Sequence, residues 1–211
     1  MNYASKEYWE KRYASNSQTY EFICGYPSVR KVLLSQLRDL SDRILVLGTG
    51  TSLLAEQLAL EGCSSVAAID WSASAIAAMR KRKQPPYPPD YQVMDALRLT
   101  FPTRSFTLVV DKGCLDATLC RSPSDVGFAL ASRLLQQARS VIAGGGAAVF
   151  ISVAPPEDRV EVLQAGRFAD ISCVPIPRED VRCMPQGGDA PTEMTHLFAY
   201  VCAVGGVVSA D

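Results

Sequence analysis

Gly48, Asp70, Asp95 and Asp111 are the residue types that a nucleoside-binding site needs, each at the end of an apolar run. Residues 43–70 read RILVLGTGTSLLAEQLALEGCSSVAAID: an apolar run, a glycine turn, a helical stretch, and a second apolar run closing on a carboxylate. Ile44-Leu45-Val46-Leu47 is apolar at every position, as expected of a parallel strand covered on both faces. Gly48 and Gly50 then allow a sharp turn and a close approach of backbone to ligand, where a Cβ would collide. Asp70, after Val66-Ala67-Ala68-Ile69, stands where a carboxylate can accept both hydroxyls of a ribose.

Glycine spacing separates three candidate ligands. A dinucleotide fingerprint, G-x-G-x-x-G, requires glycine at position 53, which is Leu53, so close approach to a pyrophosphate is not supported. No Gly-Lys-Ser/Thr follows, so a phosphate-binding Walker loop fails too. S-adenosylmethionine remains, with one nucleoside and an amino-acid tail that need a glycine turn and a ribose acid but no phosphate cradle. A short glycine pair also occurs in ordinary turns. The surrounding elements decide between the two readings.

Those elements alternate helix and strand in the manner of an open α/β sheet. Pro27 to Leu40 has apolar residues at helical spacing and leads into the first strand. Ser72 to Lys83 reads as a helix with Ser72 or Ser74 as N-cap. Its basic last turn, Arg80-Lys81-Arg82-Lys83, suits the negative end of the dipole and reads as a solvated helix end. Gln84 to Asp90, QPPYPPD, is an exposed connector. Tyr91 to Asp95 and Phe106 to Val110 read as the third and fourth strands, Ser124 to Ile142 as a helix, and Gly144-Gly145-Gly146 as the turn into strand Ala147 to Ser152. Arg167 to Val174 and Thr195 to Val204 read as a late antiparallel pair.

In open α/β sheets, ligands bind beyond the carboxyl ends of the strands, where strand order reverses. Gly48, Asp70, Asp95 and Asp111 all fall at such ends and form one rim by topology alone. On this reading Asp70 holds the ribose, Asp95 accepts from the adenine amino group and Asp111 sits near the transferring methyl. Taken singly, each aspartate also suits a loop-capping role.

Composition narrows the class. The chain has 211 residues, 48% of them hydrophobic, and a net charge of -1, which suits one compact domain with an ample core. No basic excess exists to neutralise a long phosphate track, so a primary nucleic-acid binder is disfavoured, though a small nucleic-acid substrate is still compatible. Apolar stretches break well before the ~20 residues of a membrane span. The N-terminal MNYASKEYWEKRY lacks the apolar run of a secretory signal, so a cytoplasmic setting away from membranes is expected. Seven cysteines, at positions 24, 63, 114, 120, 173, 183 and 202, are an odd number without a C-x-x-C pair, which argues against both a zinc site and a disulfide framework. The only histidine, His196, starts an apolar run and suits a structural or rim role, so no metal site is expected.

The string DKGCLDATL, Asp111 to Leu119, resembles an element of seven-strand methyltransferases related to methyltransferase-like 13 and the elongation factor 1-alpha lysine methyltransferases. Further collinear matches are Tyr8-Trp9 with Arg12-Tyr13, Tyr20-Glu21-Phe22, the LVLGTGTS turn, Met94-Asp95, Phe101-Pro102 with Ser105-Phe106, and His196-Leu197-Phe198. The resemblance spans nearly the whole chain. It implies a Rossmann-like three-layer α/β sandwich, with a seven-stranded, mostly parallel sheet and an antiparallel last strand. It also implies S-adenosylmethionine as cofactor, S-adenosylhomocysteine as product, and a protein lysine as acceptor.

Carried over by position, the family pattern sets Trp9, Tyr13 and Phe22 against the cofactor and Gly48 and Gly50 under its amino-acid portion. Asp70 and Trp71 fall at the ribose and adenine, Asp95 with Ala96 at the adenine edge, and Lys112 beside the methionine end. The chain departs from the family pattern at Phe22, where Trp is usual, at Cys114, where Thr is usual, and at Thr51, where Asn is frequent. On this scheme residues 1–40 form an N-terminal lid and helix, 41–154 the cofactor-binding core, and 155–211 the C-terminal strands of one domain.

Methyl transfer from a sulfonium mainly requires a neutral nucleophile held in line, so positioning supplies much of the barrier reduction. A lysine acceptor must arrive deprotonated, which a partly desolvated aromatic pocket favours. Tyr13, Phe22 and Tyr26 are candidates for its walls, and their ring faces attract the sulfonium cation. Asp111 and Asp116 are the candidates to orient the amine. The residues point to an S-adenosylmethionine-dependent methyltransferase acting on an elongation factor 1-alpha-like protein. A small-molecule N- or O-methyltransferase, a non-catalytic binding module and a nicotinamide dehydrogenase are the alternatives, the last disfavoured by Leu53.

Overall fold

The structure is a computed structural model that describes residues 3–121, 123–177 and 196–205. Thr195 and Cys183 lie outside the described residues. Strands β1 (Arg43–Leu47), β2 (Ser65–Asp70), β3 (Asp90–Val93), β4 (Phe106–Lys112), β5 (Ile142–Ser152), β6 (Asp170–Pro177) and β7 (His196–Ala203) form one sheet in the order β3-β2-β1-β4-β5-β7-β6. Neighbours from β3 to β5 pair in parallel, and β7 runs antiparallel to both β5 and β6. The expected mostly parallel sheet with a reversed last strand is what forms, and the two late strands are an antiparallel pair.

Alternation along β1 and β4 explains the three layers, because successive side chains point to opposite faces. Ile44, Val46, Leu108 and Val110 face a core shared with α2 (Tyr26–Leu34), α3 (Leu54–Leu60) and α4 (Ala73–Lys81). Leu45, Leu47 and Val109 face the other core, closed by α6 (Ser124–Val141), α7 (Pro156–Gln164) and the short α5 (Cys114–Leu119). Both faces are buried, and that is why β1 reads as an unbroken apolar run. None of the described helices is long and apolar enough to cross a membrane.

Four local expectations are corrected. The helix read over 27–40 ends at Leu34, with Ser35 as C-cap. Gly144-Gly145-Gly146 is not a turn before a strand: β5 starts at Ile142, and its register with β4 shifts between Phe106 and Leu108. Gly145 takes φ 76 and its N–H donates to Val204 O at 3.1 Å, so the glycines form an irregularity inside the strand. The last strand pair is β6, Asp170–Pro177, with β7; Arg167 stands in a turn at φ 54. The basic end of α4 is more than solvated, since Arg80 Nε donates to Tyr91 O at 3.0 Å and Arg82 Nη2 to Thr51 O at 3.1 Å. Ser72 is the N-cap, accepting from the Ala75 N–H at 3.1 Å.

Strand order reverses between β2 and β4 around central β1, which opens a crevice at their carboxyl ends. Helix α1 (Lys6–Ser15) crosses that end of the sheet, packed on α4.

Candidate functional site

An aromatic-walled cleft lies at the tips of β1, β2 and β4. Trp9, Tyr13, Phe22, Gly48, Asp70, Trp71, Asp95, Ala96 and Lys112 all line it, so the structure brings together nearly every residue read as cofactor-binding. Gly50 stands just behind, where its N–H donates to Asp70 Oδ2 at 2.8 Å.

Asp70 ends β2 with one oxygen on Gly50 N–H and the other on Ser72 N–H, each at 2.8 Å. These two bonds tie the β1 turn to the start of α4 and fix the carboxylate toward the cleft, leaving acceptor lone pairs for a ligand. Burial pushes its pKa up to about 6 against the opposing backbone N–H bonds. Asp95 accepts from Leu97 N–H at 2.9 Å through Oδ1 and borders an apolar recess of Met94, Leu97, Leu130 and Leu134. A flat purine-sized group fits such a recess, with a carboxylate at its edge.

The glycines also meet a packing constraint that the spacing does not show. Gly48 and Gly50 adopt φ 56 and 51, the left-handed turn that the reading required. The space a Cβ would take is filled by the protein itself. At Gly48 it would come within 2.8 Å of Cys114 Cβ, and at Gly50 it would overlap the Tyr13 hydroxyl. The turn is therefore tight because α5 and α1 press on it from two sides.

Asp111 and Asp116, the candidate catalytic pair, are not among the cleft-lining residues. Asp111 is fully buried, and both of its oxygens lie within 3.2 Å of Leu115 N, at the start of α5. Asp116 accepts from Ser152 Oγ at 2.7 Å, Val153 N–H at 3.0 Å and Arg159 Nη2 at 3.0 Å, a buried network beneath the β5 tip. Helix α5 advances about 100° per residue, so Cys114, Ala117 and Thr118 face the cleft while Leu115 and Asp116 turn inward. Tyr26 is also excluded from the acceptor side. Its side chain is buried in the core with α2, and burial, then Glu61, raises its pKa. Cys114 is partly buried at the cleft wall, and desolvation there pushes its thiol well above the ordinary value.

Burial sets the Asp111 pKa to about 7, well above its ordinary value of 3.8. Between pH 4 and 7 the unfolded chain releases this proton while the folded chain keeps it. The folded state then binds more protons, so stability falls as pH rises through that window. Asp111→Asn keeps an acceptor for Leu115 N–H and removes the titration. Urea unfolding at pH 5 and pH 7.5 is expected to show a loss in the parent, on the order of a few kcal/mol, that is clearly smaller in the variant, where Asp70 still titrates. Equal pH slopes in the two proteins would contradict this.

The sequence reading gave no role to Tyr3, Tyr20, Glu21, Arg121 or the Leu130–Leu134 face of α6. Leu130 and Leu134 carry an i,i+4 signal that a helical reading of α6 contains. Glu21 was visible only as a carboxylate between two aromatics. Its carboxylate accepts from Ser52 Oγ at 2.7 Å and Leu53 N–H at 2.8 Å, and pairs with Lys112 Nζ at 3.1 Å. Lys112, expected beside the methionine end of the cofactor, lines the cleft but commits its ammonium to Glu21 and to Phe22 O, the latter at 2.8 Å. Phe101-Pro102 and Ser105-Phe106 serve packing, with the two phenyl rings 4.9 Å apart edge to face. His196 is not among the cleft-lining residues. No group of three or more potential metal ligands occurs among the described residues.

Residues 44–146 match a family described as a methyltransferase domain. The chain is 33% identical over 175 residues to EEF1A lysine methyltransferase 4 of Mus musculus, covering 80% of this chain and 68% of that protein. It is 33% identical over 155 residues to the eEF1A lysine and N-terminal methyltransferase of Xenopus laevis, covering 72% of this chain and 22% of that protein. The chain thus spans 68% or less of the length of these curated relatives. Among solved structures, phosphoethanolamine N-methyltransferase 2 of Haemonchus contortus, bound to phosphomonomethylethanolamine and S-adenosylhomocysteine, aligns with a TM-score of 0.62 at 15% identity, over 95% of this chain and 58% of that one. At that identity the likeness is one of fold.

Proposed function

The chain belongs to the S-adenosylmethionine-dependent methyltransferase family that includes the EEF1A lysine methyltransferases, and from that premise we propose that it N-methylates a lysine of an elongation factor 1-alpha-like protein. The observation that carries this reading is the similarity to EEF1A lysine methyltransferase 4 across 80% of the chain. The enzyme class is a methyltransferase, and its cofactor is S-adenosylmethionine. The proposal includes a cytoplasmic setting, one domain over 1–211 and no part for nucleic acid.

The residues present suit the cofactor. Asp70 would accept from the ribose hydroxyls, Trp71 would flank the nucleoside, and Asp95 with Ala96 would meet the adenine edge at the Met94–Leu134 recess. Gly48 and Gly50 would pass under the amino-acid portion. The bound cofactor supplies an electrophilic methyl on a sulfonium. This chain's part is to hold and to desolvate. Trp9 and Tyr13 turn aromatic surface toward the cleft, which attracts a cation at van der Waals distance, and Phe22 adds apolar surface where the amine would enter. The same desolvation favours the neutral form of an entering amine, the form with a free lone pair. No general base is needed inside the cleft once the amine enters neutral, and its proton leaves to solvent.

Cofactor affinity should follow the ionisation of Asp70. Ribose hydroxyls donate to the carboxylate, and the protonated acid accepts poorly. With the Asp70 pKa at about 6, affinity is expected to be flat above pH 7 and to weaken about tenfold per unit below pH 6. Calorimetric titration between pH 5 and 8 checks this, and Asp70→Asn should lack the dependence. A pH-independent affinity would rule Asp70 out as the ribose acceptor.

The function itself is tested by incubating the protein with radiolabelled S-adenosylmethionine and purified elongation factor 1-alpha, with Asp70→Ala as control. Label on a lysine of the factor, absent with the variant, is the expected result. Retained cofactor binding with no labelled protein, but transfer to a small amine, would overturn the lysine assignment.

A further inference from the structure

One carboxylate stitches the N-terminal segment to the sheet at two places flanking the cleft. Glu21 takes hydrogen bonds from Ser52 Oγ and Leu53 N–H, in the turn after β1, and from Lys112 Nζ, at the tip of β4. The side chains of Lys112 and Glu21 are only 6% and 11% exposed, so water competes little for the pair. Lys112 adds a bond to Phe22 O, and Thr51 Oγ1 donates to Gln18 O at 2.9 Å. Residues 18–22 are thus pinned from the far side of the cleft opening.

What these bonds hold in place is aromatic. Tyr20 and Phe22, on either side of Glu21, both line the cleft. Phe22 is pressed on the β4–α5 turn so closely that a Cβ on Gly113 would lie 2.6 Å from its ring. It packs edge to face on Trp9, with centroids 5.6 Å apart. The next residue, Ile23, takes φ 73, a left-handed conformation that a β-branched side chain rarely adopts. Such backbone persists only where the surroundings over-determine it. The segment is therefore a strained strap held down by its latch, and Glu21 itself is not among the cleft-lining residues.

We propose that Glu21 is a positioning residue which, through Lys112, Ser52 and Leu53 N–H, sets Tyr20 and Phe22 as the acceptor-side wall of the cleft; this deepens the lysine-methyltransferase reading and rests on it. The amine enters against that wall, and the cofactor is held by the strand tips behind it. Loss of the latch lets Ile23 relax, withdraws Phe22 and opens the acceptor side to water, while Asp70 keeps its own bonds from Gly50 N–H and Ser72 N–H. Acceptor use and cofactor binding are thereby separable functions of two different parts of the cleft.

The test compares parent, Glu21→Gln, Glu21→Asp and Phe22→Ala in methyl transfer to full-length elongation factor 1-alpha, in S-adenosylmethionine affinity by titration, and in amide hydrogen exchange of residues 18–24. Glu21→Gln is expected to lower kcat/KM for the protein acceptor at least tenfold, to change cofactor Kd less than threefold, and to speed exchange in the strap but not in α6. Phe22→Ala should reproduce the kinetic loss without the exchange change. Glu21→Asp, which keeps the charge, should recover most of the activity. A cofactor affinity that falls in step with turnover, or a Glu21→Gln variant with native kinetics and native exchange, would overturn the proposal. Should the parent itself label no elongation factor, the lysine reading fails by that result, and unchanged strap exchange or a weakened cofactor Kd in Glu21→Gln would still refute the latch.

Discussion

Asp70→Ala is expected to weaken S-adenosylmethionine binding at least about 100-fold. Two effects combine. The ribose hydroxyls lose a charged acceptor, and hydrogen bonds to charged groups contribute roughly 1.5–3 kcal/mol each. The N–H groups of Gly50 and Ser72 lose the carboxylate that fixes the glycine turn against α4, and each unpaired buried donor costs about 1–3 kcal/mol. Every 1.4 kcal/mol is tenfold in affinity, so a 100-fold loss is the lower end of the range. Asp70→Asn, with one acceptor oxygen and a wrongly placed amide, should fall between the two. Trp9 and Trp71 line the cleft, so their fluorescence reports binding directly alongside calorimetry. Near-native affinity in Asp70→Ala would remove Asp70 from the cofactor site.

Asp116→Ala is expected to lower activity by destabilising the fold rather than by removing a catalytic group. Asp116 is the counter-ion of Arg159, which is itself only 7% exposed, and it also caps Ser152 Oγ and Val153 N–H. Removing one partner of a buried pair leaves an uncompensated charge and costs about 3–5 kcal/mol. For a chain of this size that corresponds to a fall in Tm of roughly 10 °C. Thermal melting measures it. The fraction still folded at low temperature should bind cofactor with native affinity, because no atom of the network lines the cleft. A variant with native Tm and lost turnover would return Asp116 to the catalytic list. The double variant Asp116→Ala with Arg159→Leu should be more stable than Asp116→Ala alone, since the stranded cation is gone.

These two aspartates mark the boundary between what was legible and what was not. Both end or follow an apolar run, and both belong to motifs that point to methyl transfer. Asp70 was placed correctly at the cleft because a residue at the tip of a central parallel strand has one direction left to face once both sides of the sheet are covered. Asp116 stands on a helix, where the face is set by rotation about the axis. The DKGCLDATL string does not state that rotation. It is decided by how α5 packs between β4 and α6, with Leu115 drawn into the core and Cys114, Ala117 and Thr118 left toward the cleft.

The N-terminal segment shows the same limit at longer range. Its aromatics are visible in the sequence, and Trp9, Tyr13 and Phe22 do reach the cleft. Tyr26, an equally plausible aromatic, is drawn into the core of α2 instead. The difference lies in the left-handed Ile23, which turns the chain away from the cleft just before α2 begins.

By itself the sequence determined the parallel strands, the glycine turn, the carboxylates at the strand tips and the methyltransferase family. These follow from periodicity, from backbone conformations only glycine accepts readily, and from collinear motifs, all of which are local. Only the tertiary structure decided which aspartates face the cleft, what fills the space over Gly48 and Gly50, and that Lys112 reaches Phe22 across 90 residues of chain. Those contacts depend on the rotation and docking of whole helices against the sheet. Many sequences satisfy the same local rules, and packing selects among their arrangements.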